Sequence, residues 1–371
     1  MSGGIQALTM PKWGLSMQEA KIVGWRVEVG GEVLSGDEVV DIETEKIAAG
    51  VEARDSGVLR RHVAGEDDVL PVGALLAVIA DANIPESEID AFVTDFQASF
   101  VPPDPAASEV GEATDTVDLS GRVIRYLKRG DSGDAVILLH GFGGDLNNWL
   151  FNQEALAAKH VVYALDLPGH GGSTKEVGDG SLREFAATVA AFMAALEIGN
   201  AHLVGHSMGG AIALTFALAH PELTSSLTLI GSSGLGAEID GTYIDGFVQA
   251  RRRRDVKPHL EKLFSDPALI TRQLVEDVLR YKRLDGVQDA LATIAKQLFP
   301  EGRQVAVLRP QLERLQLPTQ LIWGEEDRII PASHALGGPA AVATHTIPGA
   351  GHMVQMEAAA EVNRLIQSLV V

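Results

Sequence analysis

The sequence has no cysteine among its 371 residues. A disulfide framework, a thiolate zinc site and a cysteine nucleophile are therefore excluded, and we predict no metal site. Basic residues are also few, because 30 Lys and Arg stand against 50 Asp and Glu, a net charge of -20. Such an acidic chain is not expected to bind nucleic acid through its overall charge. With 46% apolar and 22% charged residues, the composition is that of a folded globular protein.

No segment has the pattern of a secretion signal or of a membrane-spanning helix. Residues 1–11 lack the basic and apolar layout of a signal peptide. The longest uncharged run, residues 198–221, is long enough to cross a bilayer but contains four glycines and three histidines. We interpret it as a buried strand and helix around a turn. The expectation is a soluble, cytoplasmic chain without a membrane contact.

The distribution of charge and apolar residues divides the chain into three parts. Residues 1–81 carry 7 basic and 14 acidic side chains, and their short runs of Val, Ile and Gly between turns predict a small all-β domain. Residues 82–116 have eight carboxylates and no Lys or Arg, and their second half is rich in Pro, Ala, Ser and Glu, which predicts a linker. Residues 117–371 alternate strand-like and helical runs, which predicts a buried parallel sheet.

Within the linker, residues 84–100 have apolar positions at helical spacing with acidic residues between them. The apolar positions are Ile89, Phe92, Val93, Phe96 and Phe100. Two interpretations stay open at this point. The segment is either a short helix folded back on one of the neighbouring domains or a docking helix for a partner enzyme.

The N-terminal domain contains an internal repeat with a constant offset of 37 residues. The matching pairs are Val33 and Leu70, Gly36 and Gly73, Val39 and Leu76, and Ile42 and Ile79. The repeat predicts two similar half-sheets related by a pseudo-twofold axis. Between the halves, strand-like residues flank the polar run Glu-Thr-Glu-Lys of residues 43–46, so Lys46 is expected at an exposed hairpin tip.

Residues 5–81 resemble a lipoyl domain of the 2-oxo-acid dehydrogenase family. In that family the modified lysine lies in a hairpin of the type Glu-Thr-Asp-Lys-Ala; here Glu45 and Ile47 depart mildly from it. The opening Met-Pro-Lys-Trp-Gly of residues 10–14 and Met17 also resemble the first strand of lipoyl domains. A biotin carrier would have methionines on both sides of the lysine. The resemblance implies covalent lipoate on Lys46 and a lipoate-attaching enzyme as a partner.

The C-terminal domain contains a candidate serine nucleophile. Gly205-x-Ser207-x-Gly209 follows a strand-like run and precedes the helical residues 211–219, which is the arrangement of a nucleophile elbow. A serine hydroxyl needs a base, and a neutral imidazole needs a carboxylate that fixes its tautomer. Asp327 and His352 follow in the order Ser, Asp, His. The sequence therefore predicts a Ser207–His352–Asp327 triad.

Residues 117–371 resemble the α/β-hydrolase fold family. The family spacing Gly-x-x-Asp-x-x-x-Pro favours Asp327 over its neighbours Glu325 and Glu326. The resemblance also implies that the main-chain nitrogens of Phe142 and Met208 are the oxyanion donors. Three other histidines lie in turns near the same cleft and are expected to bind main-chain groups and shape the pocket. They are His140, His170 and His206.

A helical stretch of about residues 235–317 interrupts the sheet pattern, and by resemblance it is the cap over the cleft. Residues 235–310 have a net charge of +2, whereas the remaining 295 residues have a net charge of -22. The densest basic run is Arg251, Arg252, Arg253 and Arg254. It is interpreted either as a solvated helix face or as a site that attracts the phosphates of coenzyme A.

The two domains together resemble the dihydrolipoamide acetyltransferase components of acetoin dehydrogenase systems. The resemblance implies transfer of an acetyl group from the lipoyl arm to coenzyme A. It also implies two further partners, a thiamine-diphosphate-dependent acetoin dehydrogenase component and a dihydrolipoyl dehydrogenase. The chain has no His-x-x-x-Asp-Gly motif and no recognisable peripheral subunit-binding module, so no large cubic or icosahedral core is implied.

Two rival functions remain from the sequence alone. The second domain is alternatively a lipoyl-tagged thioesterase or carbon–carbon hydrolase that releases a free acid. In the second rival function, this domain is a catalytically idle scaffold, although the complete triad argues against this. Transfer requires a thiol site that outcompetes water, and no such site is apparent in the sequence.

Overall fold

The computed structural model describes residues 4–11, 17, 19–44, 48–53, 56–100, 102 and 114–370. A first compact unit comprises residues 1–113 together with residues 271–274, and a second comprises the rest of residues 114–371. The first is a small all-β unit followed by a helix, and the second is an α/β unit. The predicted fold class is confirmed.

The first unit consists of two four-stranded sheets of antiparallel pairs, with strand orders β1-β8-β6-β3 and β5-β4-β2-β7. The strands are β1 Gln6–Thr9, β2 Glu19–Trp25, β3 Glu32–Val33, β4 Glu38–Glu43, β5 Ala48–Glu52, β6 Gly57–His62, β7 Val69–Pro71 and β8 Leu75–Ala80. Alternate strand residues point into one shared core, where Val39, Ile42 and Leu76 have no exposed surface.

The two halves of the internal repeat contribute their equivalent strands to opposite sheets. An offset of 37 residues relates β3 and β4 to β7 and β8. β3 and β8 belong to one sheet and β4 and β7 to the other, so equivalent strands lie in opposite sheets. Gly36 and Gly73 both have left-handed backbone, with φ of 92° and 84°. This is the arrangement that the predicted pseudo-twofold symmetry requires.

The helix expected in the linker is present as α1, Glu86–Ser99, and it packs on the first unit. Ile89 is fully buried against Val78 and Ala80 of β8, and Phe92 and Phe96 extend the same contact. This packing favours the interpretation of residues 84–100 as a helix folded back on a neighbouring domain, because β8 covers part of its apolar face.

Two arginines of β6 add ion pairs to this helix. Arg60 Nη2 lies 2.5 Å from Glu86 Oε1, and Arg61 bonds to both Glu86 (2.9 Å) and Asp90. Glu86 lies in the first turn of α1, where negative charge also favours the helix. The carboxylates of these pairs are exposed, so we assign most of the stabilisation to the buried apolar contact.

The second unit is built on an eight-stranded sheet of order β16-β15-β14-β13-β11-β12-β10-β9. Its strands are β9 Asp115–Leu119, β10 Arg122–Arg129, β11 Ala135–Leu139, β12 Val161–Leu165, β13 Ala201–His206, β14 Thr224–Ile230, β15 Thr319–Gly324 and β16 Ala343–Ile347. The six strands from β16 to β12 in this order are parallel, while β10 and β9 extend the edge as antiparallel strands. β9 begins two residues before residue 117, where the sequence placed the start of the domain.

Helices flank this sheet and also form the segment between β14 and β15. They are α2 Leu150–Ala157, α3 Leu182–Ala195, α4 Met208–Ala219, α5 Gly241–Gln249, α6 Arg253–Glu261, α7 Arg272–Lys282, α8 Val287–Leu298, α9 Val354–Glu357 and α10 Ala359–Leu369. Short 3-10 turns lie at Leu146–Trp149, Pro221–Leu223, Pro267–Leu269, Pro300–Gly302, Arg309–Arg314 and Ala332–Ala335. α5 to α8 occupy the predicted cap. Among the described residues, no helix combines the length and the apolar character needed to cross a bilayer.

Candidate active site

The serine predicted as the nucleophile lies at a sharp turn between a strand and a helix. Ser207 follows β13 and precedes α4, with φ 53° and ψ -118°. A residue other than glycine in such a conformation stores ~1–3 kcal/mol of strain. Ser207 N donates to the carbonyl of Ile230 at 2.9 Å, and the Ser207 carbonyl accepts from the amides of Gly210 and Ser233, both at 3.0 Å. Main-chain bonds within α4 and to residues 230–233 at the end of β14 therefore hold the turn.

Glycines leave the space that this turn needs. A Cβ on Gly205 would overlap the carbonyl oxygen of Gly209, and a Cβ on Gly209 would overlap that of Leu139. A Cβ on Gly141 would approach the Cβ of Ser207 to 3.0 Å. The Gly-x-Ser-x-Gly pattern thus reflects close main-chain packing around the nucleophile.

The predicted base and acid are hydrogen-bonded to each other. His352 Nδ1 donates to Asp327 Oδ2 at 2.8 Å, and both side chains are buried. The other carboxylate oxygen, Asp327 Oδ1, accepts from the amides of Ile329 (2.8 Å) and Ile330 (2.9 Å). With Nδ1 bonded to the carboxylate, Nε2 of His352 is the nitrogen left to act as a base. The neighbouring Glu325 and Glu326 are exposed.

The end of β14 connects this pair with the serine. Ser207 N is bonded to Ile230, and a Cβ on the next residue, Gly231, would lie 3.3 Å from His352 Nδ1 and 3.4 Å from Asp327 Oδ2. On the other side, the His206 ring lies 4.7 Å from the His352 ring and donates through Nε2 to the His352 carbonyl at 2.9 Å. The structure therefore brings together all three residues predicted for the triad.

The three additional histidines bind main-chain groups, as predicted. His140 accepts from the Leu167 amide at 3.0 Å and donates to the Gly141 carbonyl at 2.8 Å. Burial lowers the pKa of His140 and holds the pKa of His170 and of His206 well below the usual value for histidine. These rings are therefore neutral in the folded protein and are unsuited to hold a positive charge.

The oxyanion loop, residues 141–144, carries one of the two predicted oxyanion donors. The Gly144 amide closes the loop on the Gly141 carbonyl at 3.1 Å, and the Gly143 amide donates to His170 Nε2 at 3.1 Å. The amides of Phe142 and Met208 have no acceptor within the part of the chain that the structure describes. Met208 N is the first amide of α4, where the helix dipole favours a negative charge.

The remaining predicted site residues are the arginine run and Lys46. Arg251, Arg252, Arg253 and Arg254 are all exposed at the start of α6. Lys46 lies outside the described residues. The strands that flank it, β4 and β5, pair antiparallel, with Glu43 opposite Ala48.

Sequence reasoning missed several buried or partly buried polar residues around the site. Glu357 accepts from the Gly351 amide at 2.9 Å, next to His352, and from Ser265 N at 2.7 Å in the cap. Burial raises the pKa of this carboxyl group. In α7, Tyr281 donates to the Gly169 carbonyl and Lys282 donates to the carbonyls of Phe247 and Val248 at the end of α5. None of these residues belongs to a motif, and each acts on main-chain groups distant in sequence, so no pattern marks them.

Comparisons with known proteins agree with both units. A family model described as the alpha/beta hydrolase fold matches residues 134–359, and one described as biotin-requiring enzyme matches residues 6–79. The dihydrolipoyllysine-residue acetyltransferase component of the acetoin cleaving system of Pseudomonas putida is 52% identical, with 97% of each chain covered. The protein of the same name from Cupriavidus necator is 43% identical, with 99% of this chain and 98% of that one covered.

A solved structure is similar to the second unit. The meta-cleavage product hydrolase of Pseudomonas fluorescens superposes with a TM-score of 0.64 at 26% identity, covering 70% of this chain and 97% of that one. Fold and site thus define an α/β-hydrolase-fold protein with an N-terminal lipoyl-type domain. At these identities over nearly its whole length, the chain belongs to the family of dihydrolipoyllysine-residue acetyltransferase components of acetoin cleaving systems.

Proposed function

We propose that this protein transfers an acetyl group from a lipoyl arm on Lys46 to coenzyme A through an acyl-enzyme on Ser207. The observation that carries the proposal is the buried hydrogen bond from His352 Nδ1 to Asp327, next to the strained turn of Ser207. The names of the relatives from P. putida and C. necator support the choice of acyl group and of carrier. When attached, lipoate supplies a thiol that carries an acyl group between sites.

In the first half-reaction, Ser207 Oγ attacks the carbonyl carbon of the acetyl thioester while His352 Nε2 takes the hydroxyl proton. The amides of Phe142 and Met208 donate to the oxyanion that forms, and each such donor is worth about 3 kcal/mol in the transition state. Asp327 stabilises the imidazolium of His352 and keeps its orientation. The C–S bond then breaks, and His352 returns the proton to the departing sulfur.

In the second half-reaction, the thiol of coenzyme A replaces the departed sulfur. His352 Nε2 takes the thiol proton, the sulfur attacks the acetyl ester of Ser207, and the same two amides stabilise the second oxyanion. Collapse breaks the C–O bond, and the proton passes from His352 to Ser207 Oγ. The serine is thereby regenerated and acetyl-coenzyme A is released.

The arginine run is our candidate contact for the phosphates of coenzyme A. Lys282 lies over the Phe247 ring, 4.3 Å from its centroid, and that ring lies 6.1 Å from the ring of Phe142 in the oxyanion loop. Burial lowers the pKa of Lys282 to about 8, and the positive charge of Arg251 adds to this effect. Arg251 is thus near enough to Lys282 to weaken the binding of its proton. Guanidinium groups suit phosphate oxygens.

The proposal implies three protein partners. A thiamine-diphosphate-dependent acetoin dehydrogenase component would load the arm, a dihydrolipoyl dehydrogenase would reoxidise it, and a lipoate-attaching enzyme would modify Lys46. All three are implied by the resemblance to acetoin dehydrogenase systems, and the names of the relatives support a component of such a system.

The proposal is tested by supplying the purified full-length protein with S-acetyl-dihydrolipoamide and coenzyme A and measuring acetyl-coenzyme A and acetate. We expect acetyl-coenzyme A as the main product, and its loss in Ser207→Ala. The exposed Ser333→Ala provides the matched control, because it removes a hydroxyl outside the site. Asp327→Asn should lower kcat by on the order of 10⁴-fold, whereas the exposed neighbour Glu326→Gln should leave it unchanged.

Other products would support the rival functions. The similarity of the second unit to a meta-cleavage product hydrolase favours hydrolysis as the second candidate. Acetate as the main product, lost in Ser207→Ala, would identify a hydrolase. Activity of Ser207→Ala equal to that of the wild type would overturn the acyl-enzyme and leave the domain a scaffold.

A further inference from the structure

Two adjacent residues at the end of α7, Tyr281 and Lys282, are polar and turned inward. Only 4% of the surface of Lys282 is exposed, although lysine is among the residues least often buried. Its ammonium donates to the main-chain carbonyls of Phe247 and Val248 (3.4 Å to the latter) at the end of α5. The Tyr281 hydroxyl donates to the Gly169 carbonyl at 2.9 Å. The acyl-transfer mechanism above uses neither residue.

The contact of Tyr281 leads to the oxyanion loop through His170. The Tyr281 ring is nearly parallel to the His170 ring, at 14° and 6.4 Å between centroids. His170 Nδ1 donates to the Pro168 carbonyl at 3.0 Å, so Nε2 is unprotonated and accepts from the Gly143 amide at 3.1 Å. Tyr281 thus holds the turn that carries the histidine, and the histidine holds one peptide of the loop.

The contact of Lys282 leads to the same loop through Phe247. Carbonyls in the last turn of a helix lack partners within the helix, and the ammonium of Lys282 supplies one to Phe247. The Phe247 ring lies 6.1 Å from the Phe142 ring, and a Cβ on Gly143 would overlap it. The position of α5 therefore limits where the oxyanion loop can lie.

We propose that Tyr281 and Lys282 are positioning residues that hold the oxyanion loop in place from the cap. The oxyanion hole is then correctly formed only when the cap is packed in the position seen here. The inference rests on the proposed acyl-transfer function. Its physical basis is that oxyanion donors act only when they are aimed at the developing charge, and a misplacement of about 1 Å costs on the order of 10²-fold in rate.

The test compares Tyr281→Phe and Lys282→Met with the wild-type full-length protein in the acetyl-transfer assay. Tyr281→Phe removes one oxygen and keeps the ring on His170, and Lys282→Met keeps an unbranched side chain and removes the donor. We expect kcat to fall about tenfold in Tyr281→Phe with an unchanged KM for the acetyl donor. Tyr243→Phe is the matched control, because Tyr243 is a buried tyrosine of the cap whose hydroxyl makes no hydrogen bond within the described residues.

A second measurement separates positioning from a general loss of folding. A trifluoromethyl ketone analogue of the acetyl donor adds to Ser207 Oγ and places an oxyanion where the tetrahedral intermediate has one. Its inhibition constant should rise by the same factor by which kcat falls in each variant, while KM stays constant.

Each outcome has one meaning for the proposal. The positioning role would be overturned if kcat and the inhibition constant were unchanged in both variants. It would also be overturned if KM rose by the same factor as the inhibition constant. Ser207→Ala measured in parallel keeps the two proposals distinct, because its inactivity supports the acyl-enzyme whatever Tyr281→Phe does.

Discussion

His206, immediately before the nucleophile, is a buried neutral ring that supports the base. Its Nε2 donates to the His352 carbonyl at 2.9 Å, and its Nδ1 is buried without a partner among the described residues. Burial, followed by electrostatic interaction with the neighbouring His352, holds the pKa of His206 well below its usual value near 6.5. The unfolded chain therefore binds a proton at mildly acid pH that the folded chain does not, and stability is lost as the pH falls below about 6.5.

His206→Gln tests this linkage. The glutamine Nε2 can still donate to the His352 carbonyl, but the side chain no longer titrates. We expect the free energy of unfolding, measured in urea between pH 5 and pH 7.5, to fall less steeply toward acid, by up to about 1.4 kcal/mol per pH unit, because one proton is removed from the linkage. The partly exposed His345→Gln serves as the control. An unchanged slope in His206→Gln would contradict a neutral buried ring.

At the same scale, sequence reasoning identified residues that belong to motifs and missed those that act on the main chain. Ser207 and His352 are marked by the glycines around them, and Asp327 by its spacing. Tyr281, by contrast, donates to a carbonyl 112 positions away in the sequence. The partner of such a residue is any peptide group that the fold brings near, so the sequence contains no signal for it.

Among the elements, α1 shows what an amphipathic pattern does and does not predict. The spacing of its apolar residues predicted a helix and one face that requires cover. It could not predict the covering surface, because a sheet of the same chain and a partner protein satisfy an apolar face equally well. The structure places that face on β8, with Ile89 fully buried.

Ile89→Ala should loosen the first unit. Truncation of a buried isoleucine costs about 2–5 kcal/mol, so we expect faster amide hydrogen exchange in β8 of the full-length protein, read by mass spectrometry. Gln97→Ala, at an exposed position of the same helix, should leave the exchange unchanged. Unaltered protection in Ile89→Ala would mean that the helix does not stabilise the sheet. The apolar face of the helix would then be available to a partner enzyme, as the docking interpretation requires.

On the scale of the whole molecule, the basic cap stands out from an acidic chain. The net charge is -20, yet residues 235–310 have a net charge of +2. A nucleotide-bearing thiol is itself an anion, so most of the surface should repel it and the arginine run should attract it. The difference between transferring an acyl group and hydrolysing it is not encoded in the triad, which is why the sequence left both open.

Replacing all four arginines of residues 251–254 by glutamine should raise the KM for coenzyme A at low ionic strength by about tenfold. The increase should shrink as salt is added, because screening already weakens the attraction in the wild type. A matched variant removes four exposed basic residues elsewhere in the same unit, namely Lys159, Arg183, Arg314 and Arg364. Equal KM values in the two variants at every salt concentration would show that the arginine run has no special place in binding.

The close main-chain packing around Ser207 has a consequence for how mutational data on this protein should be interpreted. Gly205, Gly209, Gly141 and Gly231 have no chemistry of their own, yet a methyl group on any of them would intrude on the turn or on the dyad behind it. A saturation scan scored by growth would therefore rank these glycines with the triad. Intolerance to substitution alone would therefore not distinguish the residues that react from the glycines that leave room for them.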